Sequence, residues 1–327
     1  MAAPLRVVLV APLSEPLTRR AISEPVVLAW ELVRCLVDLQ VATSSFELTV
    51  IARRDSERIA PTITLDPGEL GHHESTPRSI VEESLILEFA LRGGLEGYDV
   101  IHIIGPYLAP LQLLARTSAL LFQTDWTNGV LPAHELASRV IATPRFQRLR
   151  IAGRPSTRLD VIRAPVDLVA HAFRDRPGRQ VACITTNEEH ARIARRIANE
   201  LDRRLVTPLD TPADELLDDA AVLLALSGDP APIGELWPLR AAARGILVAG
   251  WIGGPVETAR WPTHSFAGVP LGDVAALVSE VRDRLAVEPR EREARRVYAL
   301  SHHAPRNVAA RHLEAYRVLR TAVAASP

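Results

Sequence analysis

The sequence predicts an α/β protein made of two Rossmann-like domains with parallel sheets. Short apolar runs rich in β-branched residues alternate with amphipathic helical segments along the chain. This alternation restarts after about residue 165, so the chain contains two series of similar length. A chain of 327 residues is also long enough for about two domains. Repeated strand–helix units favour parallel strands, which need helices on both faces of the sheet.

The first series, residues 1–164, is predicted to form the N-terminal domain. Ser23 can cap its first helix, since Pro25 lies in the first turn and an apolar face follows. Ser79 and Glu82 form a capping box for a second helix that ends at Leu91. The polar segment 60–78 is predicted to be a long loop. The apolar runs predict strands at 6–10, 46–51, 99–104, 120–123, 140–143 and 159–162.

The second series, residues 165–304, is predicted to form the C-terminal domain. Asn187 and Asp273 are positioned to cap two of its helices, and a third spans 235–244. Two tail helices follow, separated near Pro305. The strands of this series are predicted at 180–184, 220–226 and 246–249.

Composition excludes several classes of function. The net charge is −1 and no basic block could follow a phosphate backbone, so no nucleic-acid partner is expected. The chain contains no lysine, which excludes pyridoxal-phosphate Schiff bases, lysine nucleophiles and the P-loop. No stretch reaches the roughly 18–20 apolar residues of a transmembrane segment. Two cysteines far apart in sequence favour a reducing, cytoplasmic environment.

The sequence contains no recognisable motif for metal binding or for hydrolase catalysis. The histidine pairs at 72–73 and 302–303 consist of adjacent residues, whose side chains point in different directions on a regular element. The sequence contains no H-E-x-x-H, D-x-D or G-x-S-x-G pattern. We therefore expect no metal ion and no other cofactor.

Open α/β sheets bind ligands beyond the carboxyl ends of their strands, so the loops after the predicted strands are the candidate sites. The first loop, 12–23, carries Glu15, Arg19 and Arg20 but lacks the G-x-G-x-x-G pattern of a dinucleotide site; a plain surface loop is an equal interpretation. Gly105 would let a ligand approach the backbone closely, and the ring of Tyr107 would offer it a flat apolar surface. His102, inside the preceding strand, is interpreted as a core histidine.

A polar cluster that includes Thr124 and Asp125 directly follows a buried strand. Burying such groups is costly unless they bind something, so Asp125 is the best polar candidate in this half. An Asx turn with Trp126 packed beneath it is an equal alternative.

Three loops of the second half could bind an anion or wrap a ligand. Residues 185–187 open a helix, whose N-terminal amides suit an anion, although a plain N-cap is the slightly favoured alternative. Residues 227–235 follow the most apolar strand of the second half. Gly253 and Gly254 precede a helix start and permit close backbone contact.

In order and spacing, these segments resemble GT-B glycosyltransferases, and glycosyltransferase family 4 in particular, over nearly the whole chain. The family's first strand, helix and second strand have counterparts in RVVLVAPLSEP, VVLAWELVRCLVDLQ and FELTVIARRDS. Its "DVIH" strand is similar to YDVIHIIGP, and its domain-crossing segment to RLDVIRAPVDLVAHAF. Its donor segment resembles LLDDAAVLLALS and LWPLRAAARGILVAGWIGGPVE, and its tail helix VAARHLEAYRVL.

The resemblance implies a GT-B fold in which the tail helix, 305–327, returns to pack on the first domain. It also implies retaining transfer of a sugar from a nucleotide-diphosphate sugar. We expect a small-molecule acceptor, as in specialised metabolism. Asp125 becomes the catalytic candidate. The implied acceptor-side residues are Gly105, Tyr107, Thr124 and Arg163, and the implied donor-binding residues are Thr186, Gly234, Glu235, Leu236, Arg240, Gly253, Gly254 and Glu257.

The sequence also departs from the family pattern. The first loop has no glycine, Thr124 and Asp125 stand near the place of a histidine, and ACITTNEEH lacks the usual basic pair. Arg240 takes the place of a glutamate that ordinarily holds the nucleotide ribose, and could hold a phosphate instead. These departures keep two alternatives open: an inactive homologue that acts as a partner or scaffold, and a nucleotide-sugar epimerase. A homodimer is left open.

Overall fold

The computed structural model describes residues 3–66, 78–104, 120–125, 139–142, 159–174, 176–185, 187–226, 236–252, 266–286 and 289–324. The chain divides into two compact units. Unit 1 comprises residues 1–165 together with 305–327, and unit 2 comprises residues 166–304. Among the helices of the described residues, none combines the length and apolarity needed to cross a bilayer.

Unit 1 contains a seven-stranded sheet in the order β3-β2-β1-β4-β5-β6-β7, and its pairings are parallel. Its strands are β1 Leu5–Val10, β2 Phe46–Arg53, β3 Thr62–Leu65, β4 Val100–Ile104, β5 Leu120–Asp125, β6 Arg139–Ala142 and β7 Leu159–Val161. Its helices are α1 Glu24–Thr43, α2 Arg78–Leu91 and, from the end of the chain, α7 Pro305–Ala324.

Unit 2 contains a five-stranded parallel sheet in the order β12-β11-β10-β8-β9. Its strands are β8 Gln180–Cys183, β9 Arg204–Val206, β10 Ala220–Ala225, β11 Leu247–Trp251 and β12 Phe266–Val269. Its helices are α3 Glu188–Glu200, α4 Leu236–Ala243, α5 Val274–Ala286 and α6 Pro289–His303. The predicted fold class, two parallel-sheet α/β domains, is therefore confirmed.

Three short strands were not predicted. Strand β3 lies inside segment 60–78, which the sequence predicted to be a loop, and β9 and β12 were not recognised. They span three or four residues each, and β3 is only partly buried along its length. Strands this short contain too few apolar residues to show a detectable periodicity. Pairing with neighbouring strands, and not their own sequence, stabilises them.

The tail helix α7 is anchored in unit 1 by a buried aromatic cluster. Tyr316 on α7 is fully buried, and its hydroxyl lies 2.6 Å from Nδ1 of the equally buried His102 on β4. His312, one turn earlier on α7, stacks on His102 with 5.8 Å between the ring centroids. His102 is thus a core histidine, as interpreted from the sequence.

Buried and partly buried arginines of unit 2 donate hydrogen bonds to backbone carbonyl groups. Arg296 on α6 donates to the carbonyls of Leu168, His171 and Ala243 at 2.9–3.1 Å. Its neighbour Arg295 donates to the carbonyl of Gly245 at 3.2 Å, and burial lowers the pKa of Arg295 to about 10. A planar guanidinium can serve several carbonyls at once, whereas an ammonium group could not match this geometry. These bonds fix the C-terminal end of α4.

The cluster around α7 predicts a loss of stability in acid. Burial lowers the pKa of His312 to about 4, and that of His102 is also well below its usual value. Because the unfolded chain binds these protons more readily, stability should be complete above about pH 6.5 and decrease as the pH falls toward 4. His312 alone should contribute about 3 kcal/mol of this loss. Urea unfolding at a series of pH values measures the slope.

A matched variant identifies the source of that slope. His312→Gln should flatten the profile between pH 6.5 and 4, whereas His190→Gln, at a partly exposed position on α3, should leave it unchanged. Equal acid sensitivity of the wild-type protein and both variants would show that carboxylates, and not these histidines, dominate the pH dependence of stability.

The arginine network predicts that lysine cannot replace Arg296. Arg296→Lys retains the charge but can no longer serve three carbonyls, so unfolding in urea should become easier by about 1–2 kcal/mol. Arg290→Lys, at an exposed position on the same helix, is the control and should change stability by less than about 0.5 kcal/mol. A similar effect for the two substitutions would contradict this role for Arg296.

Candidate functional site

Sheet topology gives each unit one place where ligands are expected to bind. In unit 1 the chain runs outward from β1 through β2 to β3 and then returns to the other side of β1 as β4. In unit 2, β8 likewise lies between β9 and β10. Connections diverge at such switch points, so a crevice opens beyond the carboxyl ends of the two central strands. The candidate loops are therefore those after β1, β4, β8 and β10.

The loop after β1 is organised by Glu15. Its two carboxylate oxygens accept hydrogen bonds from the backbone amides of Ile22 at 2.7 Å and Ser23 at 2.8 Å. Ser23 is the N-cap residue of α1, but its side chain makes no capping hydrogen bond. The Glu15 carboxylate thus binds the backbone just before α1. The sequence alone had assigned no role to Glu15.

The next candidates lie on the carboxyl edge of β4 and β5. Strand β5 continues through Thr124 and Asp125, two residues beyond its predicted end. Thr124 pairs with Ile104, the last residue of β4, so Asp125 lies at the sheet edge where β4 ends. Gly105 and Tyr107 lie outside the described residues. The roles of Thr124 and Asp125 remain predictions.

In unit 2 the start of α3 is capped by its own residues. The side-chain oxygen of Asn187 accepts from the amides of Glu189 at 2.8 Å and His190 at 3.3 Å, and Thr185 Oγ accepts from the Asn187 amide at 3.0 Å. The plain N-cap, the alternative left open by the sequence, is therefore present. Thr186 lies outside the described residues.

The segment after β10 leads into α4, whose eight residues are all buried. Leu236 begins this helix with a fully buried side chain. Arg240, one turn further, is 2% exposed, and its guanidinium carbon lies 5.0 Å from the centroid of the Trp237 ring. The other predicted donor residues, Gly234, Glu235, Gly253, Gly254 and Glu257, lie outside the described residues.

A tryptophan not selected from the sequence ties the carboxyl ends of β10 and β11 together. Trp251, the last residue of β11, donates from its indole nitrogen to the carbonyl of Leu226 at 2.9 Å. The strands also approach closely, since a Cβ added at Gly250 would lie 2.1 Å from the carbonyl oxygen of Ala225. The loops that follow the two strands therefore begin from adjacent, fixed positions. A tryptophan at the end of a strand was the only signal of this contact.

Arg163, the remaining acceptor-side candidate, follows β7 near the end of the first segment of unit 1 and is partly exposed. Its predicted role is untested. Within the described residues, no cluster of three or more histidine, cysteine or acidic side chains is placed to hold a metal ion.

Comparison with known proteins identifies solved structures with a similar fold. No protein-family model matches the chain, and no curated protein sequence matches it significantly. Among solved structures, sucrose-phosphate synthase from Thermosynechococcus elongatus is similar, with a TM-score of 0.73 and 15% identity over 97% of this chain and 100% of that one.

Two further solved structures are similar over a comparable length. AviGT4, a glycosyltransferase involved in avilamycin A biosynthesis, has a TM-score of 0.66 and 20% identity over 98% of this chain and 99% of that one. Anabaena HepE, in complex with UDP and glucose, has a TM-score of 0.65 and 11% identity over 95% and 99% of the respective chains. The chain has the GT-B fold of these proteins.

Proposed function

We propose that the protein is a retaining glycosyltransferase that transfers a sugar from a nucleotide-diphosphate sugar to a small-molecule acceptor, in specialised metabolism. The supporting observation is that nearly the whole chain matches nearly the whole length of AviGT4, a glycosyltransferase, and of HepE, whose structure contains UDP and glucose. Unit 2 binds the donor and unit 1 the acceptor in this proposal. The reaction is proposed to need no metal ion.

The geometry of unit 2 favours one part of the switch point for the donor diphosphate. Asn187 engages the amides of Glu189 and His190 at the start of α3, so we place the diphosphate mainly at the loop after β10 and at the loop after its neighbouring strand β11. Trp251 holds the origins of these loops together, and Arg240 lies on the helix that follows the first loop. Backbone amides at Gly234 and Gly253, together with the Arg240 cation, then stabilise the negative charge of the leaving diphosphate. Thr186 and Glu257 complete the proposed donor site.

Catalysis on this scheme depends on positioning and charge stabilisation. The bond from the anomeric carbon to the diphosphate oxygen breaks, and an acceptor hydroxyl forms the new bond on the same face of the sugar. Asp125, at the carboxyl edge of the sheet in unit 1, is proposed to orient that hydroxyl and accept its proton. Gly105, Tyr107, Thr124 and Arg163 are the proposed acceptor contacts.

An epimerase is the second candidate function. A putative UDP-N-acetylglucosamine 2-epimerase from Listeria monocytogenes has a TM-score of 0.62 and 14% identity, over 96% of each chain. An epimerase changes the sugar of its substrate without an acceptor, whereas a transferase releases nucleotide when it transfers the sugar. Product analysis with and without acceptors therefore separates the two functions.

We expect nucleotides to stabilise the protein. Thermal unfolding with UDP, GDP, dTDP and their sugar conjugates should raise the midpoint for at least one base, because a ligand that binds only the folded state stabilises it. EDTA should not abolish that shift, since no metal ion is needed. If no nucleotide or nucleotide sugar shifts the midpoint, the proposal is wrong. Binding without turnover or epimerisation would instead favour an inactive homologue.

We also expect Arg240 to contribute to diphosphate binding. Arg240→Lys retains the charge but loses the planar fork, so affinity for the stabilising nucleoside diphosphate should fall about tenfold, whereas affinity for the free nucleoside should not. Arg192→Lys, at an exposed position on α3, is the matched control. Calorimetric titration of both variants provides the comparison. Equal losses for diphosphate and nucleoside would assign Arg240 a purely structural role.

A further inference from the structure

Unit 2 begins with a short irregular segment, residues 167–174, which we call the strap. Asp167 forms a turn at its start: the carboxylate accepts from the amides of Val169 at 3.0 Å and Ala170 at 2.9 Å, and the Asp167 carbonyl accepts from the amide of His171. Within the strap, the only buried side chain is that of His171, which is 6% exposed. The strap is thus anchored in the interior by one side chain, and this side chain can bind a proton.

Arginine side chains from two neighbouring elements hold the backbone of the strap. Arg244, which directly follows α4, donates to one carbonyl at 3.3 Å, and Arg292 and Arg296 on α6 donate to three more at 2.6–3.1 Å. The strap carbonyls held in this way are those of Leu168, Ala170, His171 and Arg174. These bonds close the strap against the end of α4 and against α6.

The ring of His171 is a further partner of Arg244. The Arg244 Nε lies 3.3 Å from Nδ1 of His171, while Nη1 of the same guanidinium donates to the Asp218 carboxylate at 2.5 Å. An arginine can only donate hydrogen bonds, so Nδ1 of His171 is the acceptor and carries no proton. His171 is therefore neutral here, with its single ring proton on Nε2.

A second proton on His171 conflicts with these surroundings. It would set an N–H group against the N–H group of Arg244 and add a positive charge beside a cation, at a buried position. Opening of the strap would relieve both penalties, because it exposes the ring to water. The ionisable groups on the elements that hold the strap are Asp167 and Arg174 in the strap itself, Asp218 before β10, Arg244 after α4, and Glu291, Arg292, Arg295 and Arg296 on α6.

We propose that the strap is an acid-sensitive conformational switch, closed while His171 is neutral and opened when His171 binds a proton. Arg296 also donates to the carbonyl of Ala243, the last residue of α4, so opening of the strap would loosen the C-terminal end of that helix as well. This switch goes beyond the proposed transferase function and does not rest on it.

Hydrogen–deuterium exchange of the full-length protein, measured by mass spectrometry between about pH 7.5 and 5.5, tests the switch. A histidine exposed by opening titrates near pH 6.5. Protection of the strap amides, corrected for the intrinsic exchange rate, should therefore be constant above about pH 6.5 and fall by up to about tenfold per pH unit below it. The amides of α3, in the same unit, are the reference and should retain their protection over this range.

Two variants identify the group that titrates. In His171→Asn, a side-chain oxygen can accept from Arg244 near the place of Nδ1 but does not titrate, so protection of the strap should no longer depend on pH. His312→Gln, which removes a buried histidine of unit 1 instead, should leave the pH dependence of the strap unchanged.

The proposal is overturned if protection of the wild-type strap does not change with pH, or if it changes equally in His171→Asn. An equal loss of protection in α3 would assign the effect to unfolding of the whole unit and would also overturn it. If His171→Asn does not fold, His171→Gln takes its place, and the comparison of strap and α3 in the wild-type protein needs no variant. These measurements use no nucleotide, so their failure is distinct from a failure of the proposed function.

Discussion

Parallel pairing of strands is the constraint on which the rest of the structure depends. Every pairing among the described strands is parallel, so each connection must cross a face of the sheet, and all carboxyl ends meet at one edge. Loops can therefore gather chemical groups at that edge alone. The order of the strands then selects a single point along it in each unit, next to β1 and next to β8.

Much of the fold could be predicted from the sequence because its strongest signals are local. The strands at the centre of each sheet are buried on both faces, so their sequences are apolar runs, interrupted in β4 by the core His102. The N-cap at Asn187 could also be predicted, because it involves only neighbouring residues. Ser23 shows the limit of that reasoning: its position as the N-cap is correct, yet a residue eight positions earlier accepts its backbone hydrogen bond.

The candidate site and the arginine network of unit 2 were less predictable because their contacts join distant parts of the sequence. The bond from Trp251 to Leu226 spans 25 residues, and the bonds from Arg296 to the segment near Leu168 span more than 120. No periodicity encodes such partners. The sequence shows that arginine replaces lysine throughout the chain. It does not show that some of these arginines bind backbone carbonyl groups. Several predicted donor residues, Gly234 among them, stay predictions because they fall beyond the described ranges.

The composition of unit 1 from two separate stretches of chain has a consequence for its synthesis. Helix α7, whose Tyr316 packs against His102 in β4, follows the whole of unit 2 along the chain. During synthesis, the surface of α1 and β4 that this helix covers therefore stays exposed until residues 305–324 have left the ribosome. Unit 2, a continuous stretch, can fold before those residues emerge. The unit whose synthesis begins first is thus completed after unit 2, and a chain cut short between the two would leave its aromatic cluster exposed to aggregation.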